Sequence, residues 1–168
     1  MPRPPFDPYP TLWDDTIVLR QIARREVAQV LSISFYEGQP ATTVAEAAAM
    51  LASINEDYRA GTALHWGIED KATRQLVGTC GYYRGFENER GELGGVLLPP
   101  FRGRGYMAKA LLLAIEFGRN ELALKAIVAI TTPRNRPATR LLRGLAFRAV
   151  AALPDGAVEY AYPLEDLH

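Results

Sequence analysis

The stretch that most constrains this 168-residue chain runs from Leu93 to Ile115. It holds an apolar strand ending Val96-Leu97-Leu98, a proline pair, the turn Arg102-Gly103-Arg104-Gly105, and a helix opening at Tyr106. Glycine accepts backbone angles and close approaches that a side chain forbids. The first N–H groups of the helix have no partner inside it and sit at the positive end of its dipole. With two arginines beside them, they make a site for a phosphate or diphosphate. Arg-Gly-Arg-Gly also occurs in disordered RNA-binding segments, so the surroundings decide between the two.

Those surroundings are apolar enough for a core. A hydrophobic content of 48% in 168 residues suits one globular domain over residues 1–168, with the proline-rich residues 1–10 as a flexible arm with little structure of its own. Thr16 to Ile22 alternates as a strand, and Arg24 to about Ser34 follows as a helix. After a loop, Thr43 and Glu46 form a capping box that opens an alanine-rich helix ending near Arg59 before Gly61. Strands 63–68 and 76–83 make a hairpin around the turn 70–75, and a third strand covers Glu92 to Leu97. A helix from Tyr106 to about Asn120 leads to strand 126–131. A short helix follows, with Asn135 as N-cap and Pro137 in its first turn, then two strands turned at 154–156.

Charge separates the chain into two parts. From Arg102 to Arg148 there are ten bases against Glu116 and Glu121, which leaves nine bases and 17 acids elsewhere and a net charge of zero. The basic part suits a polyanionic cofactor, the acidic remainder a cationic partner. Nucleic-acid binding is the rival reading of the arginines, and the acidic remainder and the lack of an aromatic-studded basic strand speak against it. A single cysteine, Cys80, and two distant histidines leave no internal disulfide and no metal ligand set. With no run long enough to span a bilayer and no leader signature, the expectation is a soluble cytoplasmic protein.

Arg102-Gly-Arg-Gly-Tyr-Met-Ala108 resembles the acetyl-CoA loop of the GNAT superfamily of N-acetyltransferases, Gln/Arg-x-x-Gly-x-Gly/Ala. Arg102 stands first, Gly105 fourth, and Met107 sixth, where a small residue is usual. Asn135 to Phe147 resembles the family's Asn-x-x-Ser/Ala…Leu-Gly-Phe segment, with Ala146 where glycine is usual. The order of elements is also that of the family, so the resemblance covers nearly the whole chain. Glu92-Leu-Gly-Gly-Val-Leu97 before the proline pair is nearest the branch with ribosomal-protein alanine N-acetyltransferases. The resemblance implies an α/β fold, with a mixed, mostly antiparallel sheet of about seven strands flanked by about four helices. It also implies acetyl-CoA as co-substrate, no metal, and direct acetyl transfer to a primary amine of a protein N-terminus or a small molecule, with a homodimer among the open assemblies.

The same resemblance assigns site residues. A backbone N–H around Val96, Leu97 and Leu98, where the central strand bulges and splays from the next, would meet the thioester oxygen; Pro99 and Pro100 have no N–H to give. The backbone of Arg102, Gly103, Arg104, Gly105, Tyr106, Met107 and Ala108 would hold the pyrophosphate. Asn135 would bond the pantetheine arm, cap its helix, or both, and Arg136, Arg140 and Arg143 would touch the 3′-phosphate or stay solvated. Glu92 is the candidate base, acting through a water, and His65 is the other group titrating near neutral pH. Many relatives place a serine three residues, or a tyrosine seven residues, after the asparagine to protonate the thiolate. Here those places hold Ala138 and Leu142, leaving Thr139 or Tyr106 as substitutes and a non-catalytic acyl-CoA sensor as the alternative function. Tyr82 and Tyr83 read as strand residues at or near the core. Acceptor choice falls to residues 35–42, the adjacent helix, the turn 86–91 and the final hairpin, none of which carries a recognisable code.

Overall fold

The computed structural model describes residues 2–164. In chain order the strands are β1 (Leu12–Trp13), β2 (Ile17–Arg20), β3 (Phe35–Tyr36), β4 (Gln39–Pro40), β5 (Leu64–Asp70), β6 (Leu76–Tyr83), β7 (Arg90–Leu97), β8 (Ala126–Thr131), β9 (Arg148–Ala152) and β10 (Val158–Ala161). The α-helices are α1 (Val44–Arg59), α2 (Tyr106–Asn120) and α3 (Arg136–Gly144). Eight strands form one sheet in the order β1-β2-β5-β6-β7-β8-β10-β9, and β3 with β4 makes a separate hairpin. Among the described residues only β7 and β8 run parallel, joined by the crossover through α2. The sheet exceeds the expected seven strands because β1 is two residues long, too short for any periodicity to announce it.

β6 is buried along nearly its whole length, as a strand with neighbours on both edges and cover on both faces must be. On one face α2 packs against Trp66, Cys80, Tyr82 and Leu93, and the Tyr82 hydroxyl donates to the Ala114 carbonyl at 2.7 Å. On the other, Ile22, Val27, Val30, Ile33, Ala47, Leu51 and Leu76 form a second cluster beneath α1.

The expected helix after β2 is a 3₁₀ helix, Arg24–Ile33, with a break at Val30. Its buried residues Val27, Val30 and Ile33 recur every three positions, which eclipse in a three-residue turn and would drift apart in an α-helix. Arg20 fastens its start, bonding Glu26 at 2.7 Å and Glu69 at 3.0 Å. At α1 the Thr43 hydroxyl accepts from Glu46 N–H at 3.1 Å, but the Glu46 carboxylate reaches one residue further back than a capping box requires, to Thr42 N–H at 2.9 Å.

Residues 2–10 contain no helix or strand, as expected of the arm, yet they lie against the core. Their aromatic residues explain it: Phe6 stands edge-on to Phe117, Tyr9 lies 4.5 Å from the Tyr58 ring, and the Trp66 indole donates to the Pro10 carbonyl at 3.0 Å. Among the described residues no helix is long and apolar enough to cross a membrane, and no cluster of three His, Cys, Asp or Glu is placed to hold a metal.

Candidate active site

β7 and β8 pair only over Arg90–Glu92 and Ala126–Val128. Beyond Val128, β8 continues alongside β10, while β7 runs on to Leu97 with no ladder partner on that side among the described residues. The result is a fork in mid-sheet, where Gly95 is exposed despite its central position. Leu98 N–H donates to the Val77 carbonyl at 2.9 Å, so it faces β6. Residues two apart on a strand face alike, so Val96 also turns its N–H to β6, whereas Leu97 and Gly95 turn theirs into the fork. The Arg102 Nε approaches the Leu97 carbonyl at 3.4 Å from that side. Of Val96, Leu97 and Leu98, the fork therefore receives the N–H of Leu97, and Gly95 adds one that the sequence reading did not include.

The glycine loop follows. Pro99–Phe101 forms one 3₁₀ turn, and Arg102 N–H is spent on the Pro99 carbonyl at 3.3 Å. Gly103 and Gly105 hold φ of +75° and +84°, with nothing within 4 Å of where a Cβ would stand, so it is backbone conformation and not space that requires glycine. Gly105 caps α2 without a side chain, and the first bond back to it comes from Lys109. The N–H groups of Tyr106, Met107 and Ala108 are therefore left without helical partners. Arg104 lies over the Phe101 ring at 5.8 Å, and Phe101 stands edge-on to Tyr106. The Tyr106 hydroxyl is committed to Asp70 at 3.2 Å. Met107 is buried against β7, its sulfur 2.7 Å from the position of a Cβ on Gly95. Gly95 thus supplies the room that lets methionine occupy the sixth place of the loop.

A cleft of roughly 1020 Å³ opens on the α1 side of the fork, lined by the β3–β4 hairpin, α1 and the ends of β5, β6 and β7. Its floor comes from strand register: Gly81 faces both His65 and Gly94, and Tyr83 faces Glu92, which places all five on one sheet face. Glu92 is the last β7 residue paired to β8, so it stands where the strands part. Glu92 is 9% exposed, and its carboxylate is ion-paired with Arg84. The His65 Nδ1 lies 2.7 Å from the Tyr83 hydroxyl, and burial pushes the imidazole down to about 4 and the phenol well above its ordinary value. At the rim the Tyr36 hydroxyl donates to Asp57 at 2.7 Å, tying the hairpin to α1. Four acids, Glu37, Asp57, Glu87 and Glu92, line the cleft against one arginine.

α3 packs on β8, the other arm of the fork. The Asn135 Oδ1 accepts from Ala138 N–H at 3.2 Å, and the Thr139 hydroxyl is committed to the Asn135 carbonyl at 3.1 Å. Leu142 is buried in the main core, and Arg136, Arg140 and Arg143 are exposed. The final hairpin is β9 and β10, with every residue of β9 exposed.

Residues 10–148 match the family model of the Acetyltransferase (GNAT) domain. An uncharacterized N-acetyltransferase of Bacillus licheniformis, p20, is 31% identical over 145 residues, covering 86% of this chain and 79% of that protein. The fold is shared with Mycobacterium smegmatis RimJ in complex with CoA-disulfide, at a TM-score of 0.78 and 18% identity, over 94% of this chain and 88% of that one. It is shared also with the ribosomal-protein-S5-alanine acetyltransferase from Vibrio fischeri, at a TM-score of 0.73 and 17% identity, over 91% and 96% of the two chains.

Proposed function

The chain belongs to the GNAT acetyltransferase family, and from that premise we propose that it transfers the acetyl group of acetyl-CoA directly to a primary amine seated in the acidic cleft. The observation that carries the reading is the fork at Glu92, which leaves two strand N–H groups unpaired beside the cleft. An exposed glycine in mid-sheet and two left-handed glycines ahead of a helix with free N–H groups suit an extended pantetheine arm and a pyrophosphate. When bound, acetyl-CoA supplies a thioester carbonyl and a thiolate leaving group.

The chain's own groups divide the work. Leu97 and Gly95 donate to the carbonyl oxygen, and one well-placed donor of this kind is worth about 2.7–4 kcal/mol. The N–H groups of Gly103 to Ala108, with Arg102 and Arg104, hold the diphosphate, and Asn135 caps the helix on the far side of the fork. Glu92 draws in an ammonium and takes a proton from it through a water. The acceptor is a protein N-terminus or a small-molecule amine, which the excess of acids in the cleft favours as a cation. Ala138 and the buried Leu142 favour a second reading, an acyl-CoA sensor without turnover.

The two separate in one assay. Acetyl-CoA is supplied with an alanine-initiated peptide, an amino-acid amide and a polyamine, and thiol release is followed. Amine-dependent release is expected, with Glu92→Gln lowering kcat/KM about 100-fold while CoA affinity stays within about twofold. Tight CoA binding with no turnover on any amine overturns the enzyme reading in favour of the sensor.

A further inference from the structure

An ammonium sheds two protons on becoming an amide, and Glu92 accounts for the first. We propose that the Tyr83 hydroxyl takes the second, as the acceptor nitrogen bonds to the thioester carbon, and passes its own proton to His65 Nδ1. This rests on amine acetylation in the cleft.

The pair is built into the cleft floor. Tyr83 lies directly across from Glu92 in the β6–β7 ladder, on the same face, and both line the cleft with His65. Gly81 and Gly94 also face each other across that ladder. A Cβ on Gly81 would stand 2.9 Å from the Tyr83 hydroxyl oxygen, and one on Gly94 would stand 3.6 Å from the ring. Two opposed glycines thus leave a trough in which the ring lies along the sheet, and the trough leads the hydroxyl to His65, the β5 partner of Gly81. The His65 backbone is bracketed in turn by Tyr9, whose hydroxyl donates to the His65 carbonyl and accepts from its N–H at 3.2 Å. Glu92, the ladder partner of Tyr83, is ion-paired with Arg84, the residue that follows Tyr83.

The chemistry matches the setting. Burial keeps His65 neutral, so one ring nitrogen is an acceptor, and the relay uses the tautomer with its proton on Nε2, which leaves Nδ1 to accept from the Tyr83 hydroxyl 2.7 Å away. A nitrogen that has bonded to a carbonyl carbon is a far stronger acid than the free ammonium, so an imidazole held below its ordinary value is a suitable receiver. The N–C bond forms and the C–S bond breaks, with the sulfur leaving on that electron pair. The nitrogen's proton moves to the Tyr83 oxygen and the phenolic proton to Nδ1. The sulfur is protonated from solvent, and the imidazolium returns its proton to solvent through Tyr83. Tyr83 is the catalytic residue, and His65 acts through it as a positioning residue. Ala138 and Leu142, at the places where relatives keep a donor, hold no proton to move.

The test uses the full chain with Tyr83→Phe and His65→Asn, the second keeping a hydrogen-bonding amide near the place of Nδ1 while removing its basicity. In the free wild-type protein, ¹⁵N spectra of the imidazole, assigned against His168→Gln, should show Nδ1 as an unprotonated acceptor at pH 7, and Tyr83→Phe should shift that resonance. In turnover each variant should lose about 30-fold or more in kcat, with the amine KM and the calorimetric CoA affinity within about threefold of wild type. A Tyr83→Phe protein that keeps its kcat within threefold, or a wild-type Nδ1 that carries the proton at pH 7, overturns the relay. A wild-type protein that binds CoA but acetylates no amine overturns the proposed function, and the relay with it.

Discussion

The two sides of the fork are made of different material. On the side of the glycine loop the groups that matter are main-chain: the N–H groups of Gly95 and Leu97, two left-handed glycines and the first turn of α2. On the cleft side they are side chains from separated parts of the chain, with Tyr36, Asp57, His65, Tyr83, Arg84 and Glu92 brought together by strand pairing and by the packing of α1. A backbone site depends on a few consecutive residues. A side-chain site depends on register, where a slip of one residue sends every group to the opposite face. The first tolerates changes in side chain and fails with conformation, and the second fails with either.

Gly105→Val should show the largest effect and would break the contrast if it did not. The substitution meets no atom within 4 Å, so any loss comes from the φ of +84° that a β-branched residue resists. CoA affinity should fall about 100-fold or more, or about 2.8 kcal/mol at 1.4 kcal/mol per tenfold, while unfolding stays cooperative. Arg102→Ala removes only an exposed side chain and keeps the backbone N–H already bonded to the Pro99 carbonyl, and it should cost tenfold at most. Calorimetric titration with CoA reads both. Undiminished affinity in a folded Gly105→Val protein would show that the diphosphate lies elsewhere.

That contrast also explains what could be read in advance. The loop, the cap at Asn135 and the strand order around β7 announce themselves in short runs, because positive φ, missing side chains and N-cap oxygens are local demands. Glu92 was singled out from the start of the central strand just before the bulge, and the pairing of β7 with β8 ends at it. The pairing of His65 with Tyr83 was not: each looks like an ordinary strand residue until the register sets Gly81 between them and empties the space above it. The donor at Gly95 was missed because the direction of each N–H follows only once one of them, at Leu98, is known to face β6. The 3₁₀ geometry of Arg24–Ile33 was present in the three-residue spacing of its apolar side chains but is easily taken for α-helix over so short a run.

Gly95 is where the two materials meet, and it offers a sharper test at intermediate size. It lends a backbone donor to the fork while the Met107 side chain fills the space above it. Gly95→Ala places a methyl 2.7 Å from the Met107 sulfur and 3.0 Å from the Thr79 carbonyl. Overpacking of this kind costs about 1–3 kcal/mol. In a cycle with Met107→Ala, the thioether half of that strain should be relieved and the Thr79 half retained, giving a coupling of roughly 1 kcal/mol by urea unfolding. Strict additivity would mean that Met107 is not fitted to the glycine, and the methionine in the glycine loop would need another explanation.

The smallest effect concerns whether left-handed positions carry energy in this chain at all. Ala146 holds φ of +73° just past the end of α3, where its N–H bonds the Arg143 carbonyl and the next N–H bonds the Leu142 carbonyl. An alanine in that region is strained by about 1–2 kcal/mol. Glycine removes the strain but gives the unfolded chain more freedom to lose, at roughly 0.5–1 kcal/mol. Ala146 is exposed, so no packing is forfeited, and Ala146→Gly should stabilise the protein by a few tenths to about 1 kcal/mol, raising Tm by about 1–4 °C. CoA affinity and turnover should not change, since the substitution touches neither the loop nor the cleft. A neutral or destabilising result would show that a turn can impose positive φ on alanine here at no cost, and the conformational reason given for glycine at positions 103 and 105 would then lose its energetic footing.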